Sequence, residues 1–427
     1  MHCDVAHDGA RTRVSLPAGW RCETVAVKDH PSLENLYSAA RRVLRSPMAA
    51  LPLRRIVRDS DRVCLIVPDN SRPMHQGTIV RAILDELSEA QVNLEQVTVV
   101  IALGTHPPMS DSEIRKLLGS DTVDRVLVRN HDCRLQAELV DLGVTAQGTP
   151  IHLNRTVHSA DVRIGIGNVK PHFSAGWSGG AKIIDPGVCG EATVGYTHWH
   201  STFHPPTCLY GKAENPMRQE IEEIGATVGL EFIVNVVLNK RDEPAFLSAG
   251  DFIEAHRQCV RYAEQDFTVN IAEKADLLLV GMGLWAKDFW AAIVGFFMAE
   301  FLVRPGGTVI LFADCPQGIA AGHPDIELHG YPKPQVIREL VASGSITDLA
   351  AASHMYLAGR LLHECKLDLI VVSSSVGPEV WSRLGIKSQT HVEPAIDAVV
   401  ARHGPTARAH VLSATSIADT LIVPKRL

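Results

Sequence analysis

The chain has 427 residues, 46% hydrophobic and 21% charged, ordinary values for a globular protein with a large core and room for two or three domains. Its net charge of −7 excludes a general nucleic-acid-binding surface, although a local anion pocket stays open. Nine cysteines are scattered without a CxxC pair, which argues against a disulfide framework or a structural zinc site and fits a reducing cytoplasm.

In chain order, the start of the sequence is polar and lacks the apolar run of a signal peptide. Residues 63–67 (VCLIV) read as a buried strand, and 68–73 (PDNSRP) as the turn after it. Residues 78–87 have helical periodicity. The β-branched run 97–103 reads as the next strand and ends at Gly104-Thr105-His106. Ser110 and Glu113 form a capping box that opens a helix. Residues 125–128 run into Asn130-His131-Asp132, and 162–166 run into a glycine-rich block around Lys182. Further on, 275–280 read as a strand, 281–283 as a turn, and 288–302 as a buried helix. The apolar stretch 289–303 is too short to span a bilayer and carries Glu300. Residues 308–312 and 367–373 repeat the strand pattern, and 420–423 look like a last strand.

This alternation predicts an α/β protein of two domains, with mostly parallel sheets and flanking helices. The expected division is 1–265 and 266–427. The second would be a smaller Rossmann-like domain whose last strand could return to the first. Four polar motifs follow strands directly, and ligands bind at the carboxyl ends of parallel strands. The motifs are therefore expected to be neighbours in space.

The block at 165–187 reads GIGNVKPHFSAGWSGGAKIIDPG, with Thr197-His198-Trp199-His200 just beyond. Lys182 sits on a glycine turn, where a lysine can clamp phosphate, form a Schiff base, anchor a cofactor, or simply begin a helix. It is not a Walker A lysine, because Ala181 and Ile183 stand where Gly and Ser/Thr are required. His198, His200 and His204 fall within seven residues. In a strand, the spacing of two would put His198 and His200 on one side as a metal pair. His106 and His172 each follow a strand end beside a proline, and histidine suits proton transfer near neutrality. The plainer reading of either is a capping or supporting histidine. Asp69 and Arg72 lie on the first turn, as a phosphate and ribose clamp or as an ordinary turn with a solvated arginine. Gly179 and Gly180 would let a nucleotide approach the backbone closely.

Taken together, the 104–109 motif GTHPPM, the 69–73 turn, 130–132, the lysine block and Asn215-Pro216 resemble the nickel-pincer lactate racemases and related 2-hydroxyacid racemases and epimerases. The resemblance covers most of residues 60–260 and weakens beyond. It implies a cytoplasmic isomerase that inverts a 2-hydroxyacid. Lys182 would carry, through a thioamide link, a Ni(II)-pyridinium-3,5-bisthiocarboxylic acid mononucleotide, the nickel-pincer nucleotide. His198 would be the protein ligand to nickel, for which an imidazole is suited. Asp69, Asn70, Ser71, Arg72, Ser178, Gly179 and Gly180 would bind this cofactor. His106 and His172 would be the two acid/bases. One removes the hydroxyl proton as hydride moves to the cofactor ring, and the planar 2-ketoacid takes hydride back on either face. The implied partners are the small-molecule substrate and the enzymes that build the cofactor, with no nucleic acid and no membrane. His131 and Asp132 would support the site or form a turn; His200 and His204 have no assigned role.

The resemblance breaks in the second domain. Lactate racemases typically have Lys-Asp followed by Asn-x-Tyr-Gln-x-x-Lys. This chain keeps Lys287-Asp288, but a gapless count puts Ile293 at the Gln position and Phe296 at the Lys position. Neither can pair with a carboxylate. The expectation is a substrate other than lactate itself, with an apolar group near Trp285, Trp290 and Phe296, so that Lys287, Trp290, Ile293 and Phe296 are the candidate substrate residues. The alternative is that this helix is buried and that Lys287 or an arginine elsewhere takes the carboxylate. Two other functions stay open: a zinc hydrolase on His198, His200 and His204 with Glu191 as base, and a non-catalytic binder of the nickel cofactor. The site is expected between the domains.

Overall fold

The computed structural model describes residues 1–7, 9–71, 74–283, 286–413 and 422–426. They form two units, Asp29–Asp266, and Met1–Lys28 together with Phe267–Leu427. The fold is mixed α/β with two largely parallel six-stranded sheets, as the alternating pattern predicts.

In the Asp29–Asp266 unit the strand order is Pro244–Gly250, Phe232–Leu238, Val162–Asn168, Val63–Pro68, Val97–Ala102, Leu127–Asn130. Every neighbouring pair is parallel except the one made by Pro244–Gly250. All six residues of Val63–Pro68 are buried, because helices cover both faces of the sheet. Val63, Leu65 and Val67 pack into one apolar cluster with Ile79, Ile83 and Leu87 of the helix Gln76–Glu89. Cys64 and Ile66 point the other way, into a cluster with Ile183, Ile184 and Val188 just after the lysine turn. The core on that face therefore seats the Lys182 segment. The capping box at Ser110 is present and starts the helix Asp111–Leu118.

In the other unit the order is Lys387–Gln389, Asp368–Val372, Val303–Phe312, Ala275–Gly281, Arg408–Ser413, Arg21–Thr24, all parallel. The residue division expected from sequence placed 1–28 in the first domain. Here Arg21–Thr24 is instead an edge strand of the second unit's sheet, held by the buried Trp20, whose Nε1 donates to Gly404 O at 3.1 Å. The hairpin of His2–His7 and Ala10–Ser15 lies against Gly281, where a Cβ would meet Ala6 O at 2.3 Å. The last strand, Val423–Arg426, pairs with Thr268–Ile271 within this same unit, and residues 414–421 lie outside the described residues. The helix expected over 288–302 is two helices, Phe289–Phe297 and Ala299–Leu302. Among the described residues no helix is long and apolar enough to cross a membrane.

Candidate active site

Four sequence motifs follow the carboxyl ends of parallel strands in the Asp29–Asp266 unit. Asp69 follows Val63–Pro68, and His106 lies four residues past Val97–Ala102, the strand beside it. This adjacency lets Asp69 Oδ2 reach His106 Nδ1 at 2.7 Å. A carboxylate only accepts, so the neutral imidazole carries its proton on Nδ1 and its lone pair on Nε2. Asp69 is held in turn by Ser71, whose N and Oγ donate to Oδ1 at 3.2 and 2.6 Å. Asp69 was expected to clamp a ribose or phosphate; its carboxylate instead orients a histidine. The loop that bears His106 is anchored at Asn130, whose Oδ1 accepts from Met109 N and whose Nδ2 donates to Met109 O. Asn70 is exposed and donates to Glu113 Oε1 at 3.3 Å. Arg72 lies outside the described residues.

His172 sits on a short hairpin, Pro171–His172 against Gly176–Trp177, directly after the strand Val162–Asn168. The Ser174 amide donates to His172 Nδ1 at 3.3 Å, with Ser174 Oγ at 3.2 Å. The Ser174 hydroxyl can also accept from Nδ1–H, so Ser174 holds the ring at Nδ1 whether it is neutral or protonated. Both histidines are thus held at Nδ1 by a neighbour.

Beyond the hairpin the chain enters a short 3-10 turn, Gly180–Ile183, that carries Lys182. Ser178, Gly179 and Gly180 were expected to touch a nucleotide. Their polar groups are instead engaged inside the protein. Ser178 Oγ donates to Asn168 O at 2.8 Å and accepts from Lys170 N at 3.0 Å. Gly180 N donates to Asn235 Oδ1 at 2.8 Å. Both glycines have positive φ, +79° and +61°, and a Cβ on Gly179 would meet Val169 Cγ2 at 2.7 Å. The positive φ of the two glycines folds the lysine turn tightly.

Behind that turn lies a buried network that sequence reasoning missed. Arg218 is fully buried, donates from Nη1 to Gly179 O at 3.1 Å, and also donates to Trp177 O. Burial lowers its guanidinium to about 10. His256 Nε2 donates to Ser178 O at 2.9 Å, and Arg257 reaches His256 Nδ1 at 2.8 Å. Burial first, then Arg218 and Arg257, holds His256 well below the usual histidine range. The only signal was indirect, since Asn215 caps the helix that carries Arg218 and also donates to Ala175 O at 3.2 Å.

Asp185 follows Lys182 by three residues and is 1% exposed. Neither carboxylate oxygen has a hydrogen-bond partner among the described residues. Thr197 is near enough to favour the ionised form, but its hydroxyl donates to Thr193 O and Val194 O. Burial raises the carboxyl to about 7, against the opposing pull of the Lys182 charge.

His198 lies on the helix Glu191–Ser201, not on a strand. At 100° per residue His198 and His200 point about 200° apart, so the expected metal pair does not form. His198 Nδ1 donates to Val194 O at 2.7 Å, which leaves the neutral ring's lone pair on Nε2. That is how metal-binding histidines are usually oriented. His200 faces Glu220 at 3.5 Å and Thr149 at 3.3 Å. Glu191 pairs with Arg134. Among the described residues no group of three or more His, Cys, Asp or Glu is placed to hold a metal. The donor set therefore suits a metal whose other ligands arrive with a bound group, and does not suit one held by side chains alone. His131 is structural: its Nε2 donates to Cys189 O at 2.9 Å, Nδ1 accepts from Asn154, and burial lowers its pKa.

In the other unit, Lys287 is exposed, whereas Ile293 and Phe296 are 1% and 0% exposed within its core. Neither side chain is exposed in this unit. Trp290 is stacked between His323 and His354, with centroids 3.8 and 3.7 Å away, and His323 Nδ1 is 2.6 Å from Asp348. Trp285 lies outside the described residues.

Residues 8–208 match the family described as the lactate racemase N-terminal domain. The chain is 26% identical over 281 residues to the lactate racemase of Thermoanaerobacterium thermosaccharolyticum, which covers 65% of this chain and 66%, just under two thirds, of that protein. It is 23% identical over 374 residues to the lactate racemase of Lactiplantibacillus plantarum, 86% of this chain and 87% of that one. Its fold matches the lactate racemase apoprotein from T. thermosaccharolyticum with a TM-score of 0.86 at 20% identity over the whole of both chains. A protein from Thermotoga maritima matches with a TM-score of 0.70 at 18% identity, over 94% of this chain and all of that one.

Proposed function

We propose that this chain, which belongs to the lactate racemase family, inverts the carbinol centre of a 2-hydroxyacid, using a nickel-pincer nucleotide carried on Lys182 and two histidines as acid and base. The observation that carries the reading is the pair of histidines each held at Nδ1 by a neighbour. Asp69 holds His106 and Ser174 holds His172, so each ring offers Nε2 as acceptor when neutral and as donor when protonated. Inversion needs a proton acceptor and a proton donor that exchange roles between enantiomers. His106 takes the hydroxyl proton of one enantiomer, and Asp69 stabilises the imidazolium that forms. His172, as the imidazolium with its Nδ1–H on Ser174 Oγ, supplies from Nε2 the proton that restores the hydroxyl and is left neutral, and in reverse the two trade places. When bound, the cofactor supplies the hydride acceptor. His198 Nε2 fits the protein ligand to its nickel. Arg218, Asn235 and His256 hold the lysine turn, so that Lys182 is presented from a rigid base.

The substrate we propose is a 2-hydroxyacid other than lactate, because the positions of the Gln and Lys of lactate racemases hold Ile293 and Phe296, both buried. Lys287 is the nearest exposed cation in sequence to that segment and is the candidate for the carboxylate. The zinc reading lacks support, since His198 and His200 diverge on their helix. A passive cofactor carrier has no use for the Asp69–His106 pair.

The test uses protein made together with the cofactor-building enzymes and a panel of 2-hydroxyacids labelled with deuterium at C2. Inversion with the deuterium retained, lost in His106→Ala and in His172→Ala while the mass adduct on Lys182 persists, is the expected result. Exchange of the label with solvent would point to carbanion chemistry instead, and full activity in both variants would end the two-histidine mechanism.

A further inference from the structure

Asp185 has no part in the chemistry above, yet it is a carboxylate almost wholly buried. A carboxylate at 1% exposure with no hydrogen bond to either oxygen among the described residues is costly, and buried polar groups are nearly always satisfied. Its place is specific. Lys182 and Asp185 are three residues apart on a turn that begins as 3-10 helix, where side chains at that spacing eclipse. The Asp185 amide donates to Ala181 O at 3.2 Å, which keeps the turn wound up to that point. The carboxylate's sequence neighbours Ile183, Ile184 and Val188 are buried in one apolar cluster. The charge of Lys182 is the main one favouring its ionised form.

We propose that Asp185 is the proton acceptor that readies Lys182 for covalent attachment. The inference rests on the reading of Lys182 as the tether. An ammonium group is not a nucleophile. Asp185 takes a proton from Lys182 Nζ, and the freed electron pair forms a C–N bond to a thiocarboxylate carbon. Of the three ammonium hydrogens one stays on nitrogen, and two leave with the displaced oxygen as water, one of them by way of Asp185. Ammonium plus thiocarboxylate thus gives neutral thioamide plus water, with charge and atoms balanced. A thioamide nitrogen carries no positive charge, so after attachment Asp185, having passed its proton to the departing oxygen, loses its counter-charge and takes up a proton from solvent. A carboxyl raised to about 7 suits both halves of this role, because it can accept a proton from Lys182 at neutral pH and hand it to the departing oxygen.

The experiment follows acylation of Lys182 in the full chain without cofactor, using phenyl thioacetate as probe and the exposed Lys287 as internal reference, by peptide mass against time and pH. The wild-type rate at Lys182 should fall below pH 7 more steeply than that at Lys287, because protonated Asp185 cannot accept. Asp185→Asn should slow Lys182 about a hundredfold, the lower end for a general base, remove this extra fall and leave Lys287 unchanged. Equal or faster labelling in Asp185→Asn, or parallel pH profiles for the two lysines in the wild type, would overturn the proposal. A companion sample made with the cofactor-building enzymes separates the two readings. If the wild type acquires no adduct there while the probe still shows the dependence on Asp185, the tether reading fails and the role of Asp185 in acylating Lys182 stands.

Discussion

Replacing Asp69 by Asn tests the acid–base reading where the geometry is best defined. Asp69 is 5% exposed and its Oδ2 is 2.7 Å from His106 Nδ1, whereas the His106 side chain is 39% exposed. During the reaction His106 gains a proton and faces Asp69 as a cation. A hydrogen bond between charged groups contributes about 1.5–3 kcal/mol. Solvent on the open side of the ring favours the lower half of that range. At about 1.4 kcal/mol per decade, loss of this stabilisation slows turnover roughly ten- to a hundredfold. Asparagine adds a second loss. If its amide nitrogen turns to Nδ1, the ring proton moves to Nε2 and the acceptor disappears. In a serine-protease triad the corresponding Asp→Asn change costs about 10⁴-fold. The expected fall in kcat is therefore about a hundredfold or more. The assay is chiral separation of the substrate enantiomers, with the Lys182 peptide mass taken from the same sample. Asp69→Asn combined with His106→Ala should be no slower than His106→Ala alone, since Asp69 acts through the ring. A kcat within about threefold of wild type at unchanged loading would refute the reasoning.

Asp185→Asn should also stabilise the chain without cofactor at alkaline pH. The folded carboxyl titrates at about 7 against 3.8 for the free group, so between those values the native state binds more protons and stability falls as pH rises. The difference is on the order of 4 kcal/mol above pH 7 and vanishes below about pH 4, read by denaturant unfolding of variant and wild type across that range. An equal pH dependence in the two proteins would contradict it. The neutral, buried His131 and His256 work in the opposite direction. Both are held below the usual 6.5, so the unfolded chain takes up protons first and stability falls as pH drops from about 6.5. Unfolding midpoints measured from pH 7 to 5 should decline, and His131→Asn should flatten that decline.

The strands, their order of appearance and the turns that carry the motifs were legible because a parallel sheet buried on both faces writes continuous β-branched runs into the chain. Val63–Pro68 and Val97–Ala102 are the clearest cases. The domain assignment of residues 1–28 was not legible. Arg21–Thr24 is an exposed edge strand, and its partner Arg408–Ser413 lies almost four hundred residues away. Pairing at that separation leaves no local periodicity; only the buried Trp20 hinted at it. His198 and His200 were misread for the opposite reason. A two-residue spacing means one face only in a strand, and the segment Glu191–Ser201 has too weak an amphipathic pattern to announce a helix.

The residue types at the site were legible, but several of their tasks were not, and the difference is physical. A motif records which side chains are present, whereas a task depends on which polar groups are already engaged. Gly179 and Gly180 look like a nucleotide cradle until Asn235 and Val169 are seen to fill the space against them. Asp69 looks like a ribose ligand until His106 takes its oxygen. Ile293 and Phe296 follow the same rule: they lie on a helix apolar on every side, and both are buried in it. Asp185 is the converse. Nothing in its spacing marks it, but a buried carboxylate near a lysine with neither oxygen hydrogen-bonded among the described residues departs from the rule that buried polar groups are satisfied. Violations of that kind persist where function requires them. The unpartnered oxygens of Asp185 thus carry more information about the lysine turn than the glycines that first drew attention to it.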